Sequence, residues 1–228
     1  MNQQLRTKSA AAGFSLLELL IAMTTTIVML TIATTLLASG FNIRSRENSV
    51  ADAAADVQRA INIMSREIAN AGFNLSTNGV VAGDSDGTHI RIRSNLNKFD
   101  TTALPASRNG VIDAGEDVKY FINTASSTNY LVRYDANVGS STVLANRLDS
   151  LAIHYFDQKV TYTTADCDID PASVSSAEVT PDAAQYVVLA VCVQLQASGS
   201  PGTAGYQPPS TVLLVSDVTL RNANLTAY

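Results

Sequence analysis

The sequence predicts an α+β protein in which one long N-terminal helix precedes an antiparallel β-sheet domain. Residues 14–43 are almost wholly apolar or Thr/Ser, and residues 44–72 repeat apolar side chains at the spacing of a helix. From residue 73 onward the pattern changes to alternation, which is typical of half-buried strands. A helix followed by a run of strands is the element order of an α+β domain.

Charge is unevenly distributed along the 228 residues. The chain has 15 Lys and Arg against 20 Asp and Glu, a net charge of −5. Only Arg6, Lys8 and Glu18 fall within residues 1–43. The acidic balance argues against a nucleic-acid surface, which requires Lys and Arg to neutralise phosphates, so we expect no nucleic-acid partner. The composition indicates an apolar segment attached to a soluble body.

The first element is a candidate membrane-spanning helix. About 20 apolar residues cross the hydrocarbon core of a bilayer, and Leu19–Ala38 supplies that length. Positive residues resist translocation, so Arg6 and Lys8 predict that the chain before the helix stays on the cytoplasmic side. Arg44 and Arg46 flank the other end and weaken this prediction.

Glu18 fits neither a secretory signal nor a plain anchor helix. A signal has a short apolar core followed by small residues, whereas here the small residues Ala10–Gly13 precede a longer core. A charged carboxylate in hydrocarbon costs about 2.5–3.5 kcal/mol on insertion scales, so it indicates a function and needs a positive partner.

Residues 13–21, Gly-Phe-Ser-Leu-Leu-Glu-Leu-Leu-Ile, resemble the processing motif of type IV prepilins and type II secretion pseudopilins. The resemblance implies cleavage after Gly13 by a membrane prepilin peptidase and N-methylation of the new terminus, Phe14. It also implies that Glu18, the fifth mature residue, pairs with the Phe14 ammonium of a neighbouring subunit. The pairing is physically reasonable because each charge alone is costly in lipid.

The resemblance implies the pilin fold and divides the chain into four parts. Residues 1–13 would be the leader peptide, and residues 14–43 the transmembrane and assembly half of the helix. Residues 44–72 would be its amphipathic half, and residues 73–228 a β-rich periplasmic domain. The implied location is the bacterial inner membrane, as a single-pass protein, followed by the pilus or cell surface after assembly.

The amphipathic half of the helix carries one apolar stripe. Its members recur at alternating spacings of four and three: Val50, Ala54, Val57, Ile61, Met64, Ile68 and Ala71. No Pro interrupts residues 14–71, which predicts one helix about 87 Å long. Gly72 suits the left-handed residue that ends a helix, and Phe73 is expected to fold back onto the domain. A free coiled coil is the alternative, but the stripe is short and rich in Ala.

The body contains six candidate strands. In chain order they are Thr88–Ser94, Asp117–Asn123, Tyr130–Asp135, Leu151–Asp157, Tyr186–Ala197 and Thr211–Arg221. The second and third are expected to form a hairpin, and the nearly all-apolar fifth is expected to be central. Gly199–Pro209 is rich in Gly and Pro and predicts a loop.

The order of elements in the body resembles the PilW-type minor pilins and the related J-type pseudopilins. The resemblance rests on the helix end at residues 71–73, the charged hairpin, residues 144–155 and the closing residues 218–222. The implied partners are other pilins, the prepilin peptidase, the inner-membrane pilus assembly machinery and membrane lipid. Three functions stay open: a minor pilin that aids pilus initiation or tip formation, a J-type secretion pseudopilin, and a pilus-tip adhesin or ligand-binding module.

Cys167 and Cys192 are the only two cysteines. In the oxidising periplasm that the resemblance implies, we expect them to form a disulfide. The bridge would join the acidic loop Ala165–Pro171 to an apolar strand and contribute about 3–4 kcal/mol in the chain-entropy model. The alternative is a buried Cys192 thiol beside Val191 and Val193, with Cys167 free.

Residues 109–116 resemble the second half of an EF-hand-type calcium loop. The candidate ligands are Asn109, the Val111 carbonyl, Asp113 and a bidentate Glu116. The first half of such a loop lacks its acidic ligands here, so an Asn-Gly turn before a strand is the favoured interpretation. We expect no metal and no cofactor.

Catalysis finds little support in the sequence, and we expect no enzyme. His89 is expected to be a solvated strand residue, and Asp168 part of a solvated acidic loop. His154 and Asp157 lie three apart on one strand, so they are expected on opposite faces and unable to form a relay. Ser200 lacks the glycine that a nucleophile elbow requires two residues earlier.

Overall fold

The computed structural model describes residues 15–97, 111–125, 128–203 and 205–223. Within these residues one long helix, α1 (Leu16–Ala69), precedes nine strands, which confirms the predicted α+β class. The strands are β1 His89–Arg93, β2 Asp117–Asn123, β3 Tyr130–Asp135, β4 Ser140–Asn146, β5 Leu148–Phe156, β6 Thr164–Ala165, β7 Asp168–Ile169, β8 Tyr186–Leu195 and β9 Ser210–Thr219. A long helix packed on antiparallel sheets is consistent with the pilin fold.

Two antiparallel sheets share one hydrophobic core with α1. The first sheet has the strand order β1-β2-β3-β4, and the second has the order β5-β8-β9. The core joins the buried stripe of α1 to inward-facing residues of both sheets. All six predicted strands are present, and the β2–β3 hairpin has the register Val118↔Asp135 to Asn123↔Tyr130.

Strand β4 was not predicted from the sequence, and its burial explains why. Its residues Ser140 to Val143 are exposed, so the alternation that marks a half-buried strand is weak there. After β4, Arg147 adopts a positive φ of 61° and passes the chain directly into β5 of the other sheet.

The central strand of the second sheet is β8, as predicted. All of its residues except Gln194 are buried. Its alternate residues Val187 and Leu189 face the main core, whereas Tyr186 and Val188 join a second cluster on the other face. The segment between β5 and β8 supplies Val160 and Ile169 to that cluster. Residues 157–185, which we call the cap, therefore cover the outer face of this sheet.

The packed half of α1 confirms most of the predicted stripe. The helix residues fully buried against the sheets are Ala53, Val57, Ala60, Ile61, Met64 and Ile68. Val50 and Ala54 are only half-buried. The burial of α1 thus fades toward its N-terminus, where the body ends.

The helix ends at Ala69, two residues before Ala71, the last residue of the predicted stripe. Gly72 has a φ of 77°, and a Cβ at that position would lie 2.6 Å from the Thr77 carbonyl oxygen, so the backbone requires glycine there. The expectation for Phe73 is wrong, since its side chain is 39% exposed. Its carbonyl instead accepts a hydrogen bond from the Asn95 amide, which fixes the backbone without burying the ring.

Candidate assembly site on the N-terminal helix

The N-terminal half of α1 exposes most of the large apolar side chains that lie on the surface of the described residues. Exposure runs from Leu16, at 81%, past Met29, at 72%, to Ile43. Of the described residues, α1 is the one helix long and apolar enough to cross a membrane. We call residues 16–43 the exposed half of α1.

Hydroxyl side chains in the exposed half are satisfied within the helix. Each one donates a hydrogen bond to a carbonyl three or four residues earlier, as Thr26 Oγ1 does to the Ala22 oxygen at 2.7 Å. The donors are Thr24, Thr25, Thr26, Thr31, Thr34, Thr35 and Ser39. A polar group that keeps its hydrogen bond loses little on leaving water, so this Thr-rich segment remains compatible with hydrocarbon.

Glu18 lies in the first turn of α1 and is exposed. The partial positive charge of a helix N-terminus favours a carboxylate at this position. Among the described residues, none of the ion pairs involves Glu18. The predicted processing residues, Gly13 and Phe14, lie outside the described residues.

The body first meets α1 near the C-terminal end of the exposed half. The guanidinium of Arg46 donates to the carbonyls of Gln196 and Pro208, at 2.8 and 2.5 Å, and to Ser210 Oγ at 3.0 Å. The predicted loop at residues 199–209 packs on the helix here, because a Cβ at Gly205 would lie 3.2 Å from Ser39 Cα. These contacts define the base of the body.

A second attachment lies near the other end of the helix. Glu67 of α1 accepts hydrogen bonds from the Arg133 guanidinium at 3.0 Å and from the Tyr120 hydroxyl. Burial and the adjacent carboxylate raise the pKa of Tyr120 above its ordinary value, so the phenol stays a neutral donor. Ser65 also contacts Ser216 of β9 at 3.0 Å.

The predicted disulfide is present. Cys167, between β6 and β7, is bonded to Cys192 of the central strand β8, with a Cα–Cα distance of 5.3 Å. The bridge joins the cap covalently to the sheet that it covers.

The calcium candidates occupy different roles. Asn109 lies outside the described residues, and the Val111 carbonyl accepts a hydrogen bond from Asn95 Nδ2. Glu116 is 4% exposed. Its carboxylate accepts the backbone amides of Leu96, Asn97 and Asp113 at 2.6, 3.0 and 2.8 Å. Glu116 therefore holds two chain segments together.

A charged contact between the cap and β5 was missed from the sequence. His154 Nε2 lies 2.8 Å from Asp168 Oδ1, and His154 Nδ1 lies 2.6 Å from Glu178 Oε1. Burial disfavours the charged imidazole, but the two carboxylates outweigh it and raise the pKa of His154. The expectation that Asp168 is simply solvated is wrong. Partners 14 and 24 residues away give no local signal in the sequence.

The side chain of the other histidine, His89, is partly exposed. It stacks on Phe121 with ring centroids 6.2 Å apart, and its Nδ1 lies 3.0 Å from Asp86 Oδ1. These contacts stabilise the turn before β1.

Comparisons of the chain with protein-family models, with curated proteins and with solved structures found no match. The prepilin interpretation therefore rests on residues 13–21 and on the division of α1 into an exposed half and a packed half.

Proposed function

We propose that this protein is a minor pilin of a type IV pilus. In this proposal the exposed half of α1 is held in the bacterial inner membrane with the body in the periplasm. The chain is cleaved after Gly13, methylated on Phe14 and assembled through the same half of the helix. Its role in the filament is to aid initiation or to form part of the tip.

The observation that carries the proposal is the inverted burial along α1. The more apolar half is exposed, and the less apolar half is packed against the body. Burying large apolar side chains contributes about 1.5–3 kcal/mol each, so the exposed half requires an apolar environment outside this chain. A bilayer supplies one before assembly, and the helices of neighbouring subunits supply one afterwards.

Glu18 supports assembly beyond simple anchoring. It is the single charged residue of residues 14–43, and a lone carboxylate in hydrocarbon costs about 2.5–3.5 kcal/mol. The free amino terminus created at Phe14 of a neighbouring subunit supplies a positive charge in the same layer. Pairing the two groups offsets both costs, which makes association of two copies more favourable than separation.

The test is the amino terminus of the mature protein. Protein isolated from cells that contain a prepilin peptidase should begin at Phe14 and carry one additional methyl group by mass spectrometry. Gly13→Val should retain the leader, whereas Gly40→Ala, within α1 at a position with open space around its Cα, should be processed normally. A mature chain that begins elsewhere, or that keeps Met1, contradicts the proposal.

A further inference from the structure

A cleft of about 430 Å³ opens at the base of the body, where α1 leaves it. Ser45, Arg46 and Ser49 line the helix side, and Asn129 and Arg147 line the body side. Its volume lies within the range of about 300–1,000 Å³ that is common for small-molecule sites. Guanidinium, hydroxyl and amide groups are hydrogen-bond donors, which is the chemistry that recognises a phosphate.

The cleft carries positive charge without a carboxylate partner at either arginine. Arg147 forms no ion pair with a described residue, and Arg46 binds backbone carbonyls. By contrast, the arginines of β1 and β3 all bind carboxylates: Arg91, Arg93 and Arg133. Asp149 also lines the cleft, but its carboxylate lies within 4.8 Å of both sulfurs of the disulfide. Two cations therefore face one acid in a chain whose net charge is −5.

The backbone at Arg147 is strained. Its φ of 61° places it in the left-handed region, which Gly or Asn adopts at a lower cost than a residue with a long side chain. The position connects the two sheets, so the fold imposes this conformation on whichever residue stands there. An arginine held in a strained conformation beside a cleft indicates a binding role.

The cleft lies at a defined height relative to the exposed half of α1. Residues 16–43 span about 42 Å as a helix, which matches a bilayer of about 40–45 Å including both headgroup layers. Ser45 follows Ile43 by about 3 Å along the helix axis. With the exposed half in the membrane, the cleft opens at the outer edge of the headgroup layer, where a long arginine side chain can reach a lipid phosphate.

We infer that this cleft binds the phosphate of a membrane phospholipid headgroup through Arg147, with Arg46 and the adjacent hydroxyl and amide groups as further donors. The inference rests on the membrane insertion in the proposed function and not on cleavage or filament assembly. A bound headgroup fixes the height and tilt of the body above the bilayer while the subunit is stored there.

The test uses the full chain in dodecyl maltoside, titrated with dihexanoyl-phosphatidylglycerol and followed by native mass spectrometry. Dihexanoylglycerol, which has the same acyl chains and no phosphate, measures binding to the apolar helix alone. Arg147→Asn removes the guanidinium with a residue that tolerates a positive φ, and Arg44→Asn makes the same change outside the cleft lining. Inorganic phosphate is the competitor.

Phosphatidylglycerol should bind the wild-type chain more tightly than dihexanoylglycerol. Arg147→Asn should weaken that binding at least about ten-fold, the loss of one charged hydrogen bond, and Arg44→Asn should leave it unchanged. Equal binding of the two lipids by the wild-type chain overturns the inference even if Arg147→Asn fails to fold. Equal effects of the two substitutions also overturn it. Displacement by inorganic phosphate at equal concentration assigns the cleft to free phosphate and overturns the lipid assignment.

A failure of this test leaves the proposed function standing. Cleavage at Gly13 and the start at Phe14 are measured independently of lipid binding, so the two results are separable.

Discussion

The two halves of α1 belong to one uninterrupted helix, yet their side chains meet opposite environments. Residues 16–43 are rich in Leu, Ile, Met and Val and lie on the surface, whereas residues 44–69 contain most of the charged residues of the helix and bury a stripe of six. In a protein that folds in water alone, the more apolar segment is the one that packs inside. Hydropathy and burial therefore disagree along α1: the body covers one half, and the proposed function assigns an apolar medium outside this chain to the other.

Removing the same side chain from each half gives the sharpest test of this contrast. Met64→Ala empties a fully buried position and should lower the free energy of unfolding of the body by about 2–5 kcal/mol. Met29→Ala, at a position 72% exposed, should change it by less than about 0.5 kcal/mol. Denaturant unfolding of the full chain in detergent, followed by tyrosine fluorescence, measures both. Similar losses for the two variants would show that the exposed half packs on the body.

The disulfide should stabilise the packed region alone. Replacing Cys167 and Cys192 together by Ala should lower the free energy of unfolding of the body by about 3–4 kcal/mol in the chain-entropy model. Membrane insertion of the exposed half should not change, because the bridge lies entirely in the body. Parallel denaturant unfolding and membrane fractionation separate the two effects. A reductant should destabilise the wild-type chain and leave the double variant unaffected.

Substituting the glutamate of each half should change a different property: filament incorporation for Glu18, and stability of the body for Glu67. Glu18→Gln should reduce incorporation into filaments by about ten-fold or more, given a charge cost of about 2.5–3.5 kcal/mol in hydrocarbon, and should leave the unfolding of the body unchanged. Glu67→Gln should destabilise the body through its lost contacts with Arg133 and Tyr120. Quantitative immunoblotting of sheared filaments measures the first effect. Normal incorporation of Glu18→Gln would contradict the charge pair.

The smallest expected effect is a pH dependence confined to the body. The raised pKa of His154 means that its ion pairs stabilise the fold fully below the unfolded value of 6.5, and that this contribution is lost as pH rises through the higher folded value. The contribution should be at most about 1 kcal/mol, since the partner carboxylates are partly exposed. His154→Gln and Glu178→Gln should each flatten the dependence of the body's stability on pH above the unfolded value of 6.5. An unchanged profile in His154→Gln would remove the effect.

Local patterns predicted most of the fold, and long-range contacts explain what they missed. The stripe from Val57 to Ile68 and the apolar run of β8 identify their elements because their periodicity reflects burial directly. Strand β4 has few buried residues and left no such pattern. Phe73 stays outside the core because its backbone, and not its ring, holds the chain there.

The candidate sites also divide into those that the sequence reveals and those that only the tertiary fold brings together. Glu18 and the cysteine pair were identified because a charge in an apolar run and two lone cysteines are visible in the sequence itself. The His154 ion pairs and the cleft at Arg147 depend on segments that only the tertiary fold brings together. The residues around Arg147 in the sequence do not predict its positive φ.

The two attachments of the body to α1 also have a mechanical consequence. Arg46 donates hydrogen bonds to the body at its base. Glu67 accepts a hydrogen bond from Arg133 of the first sheet about 32 Å farther along the axis of α1. Because the buried stripe of α1 lies between these two contacts, a load on the body is distributed along the whole packed half of the helix. Any rotation of α1 about its axis therefore turns the body with it.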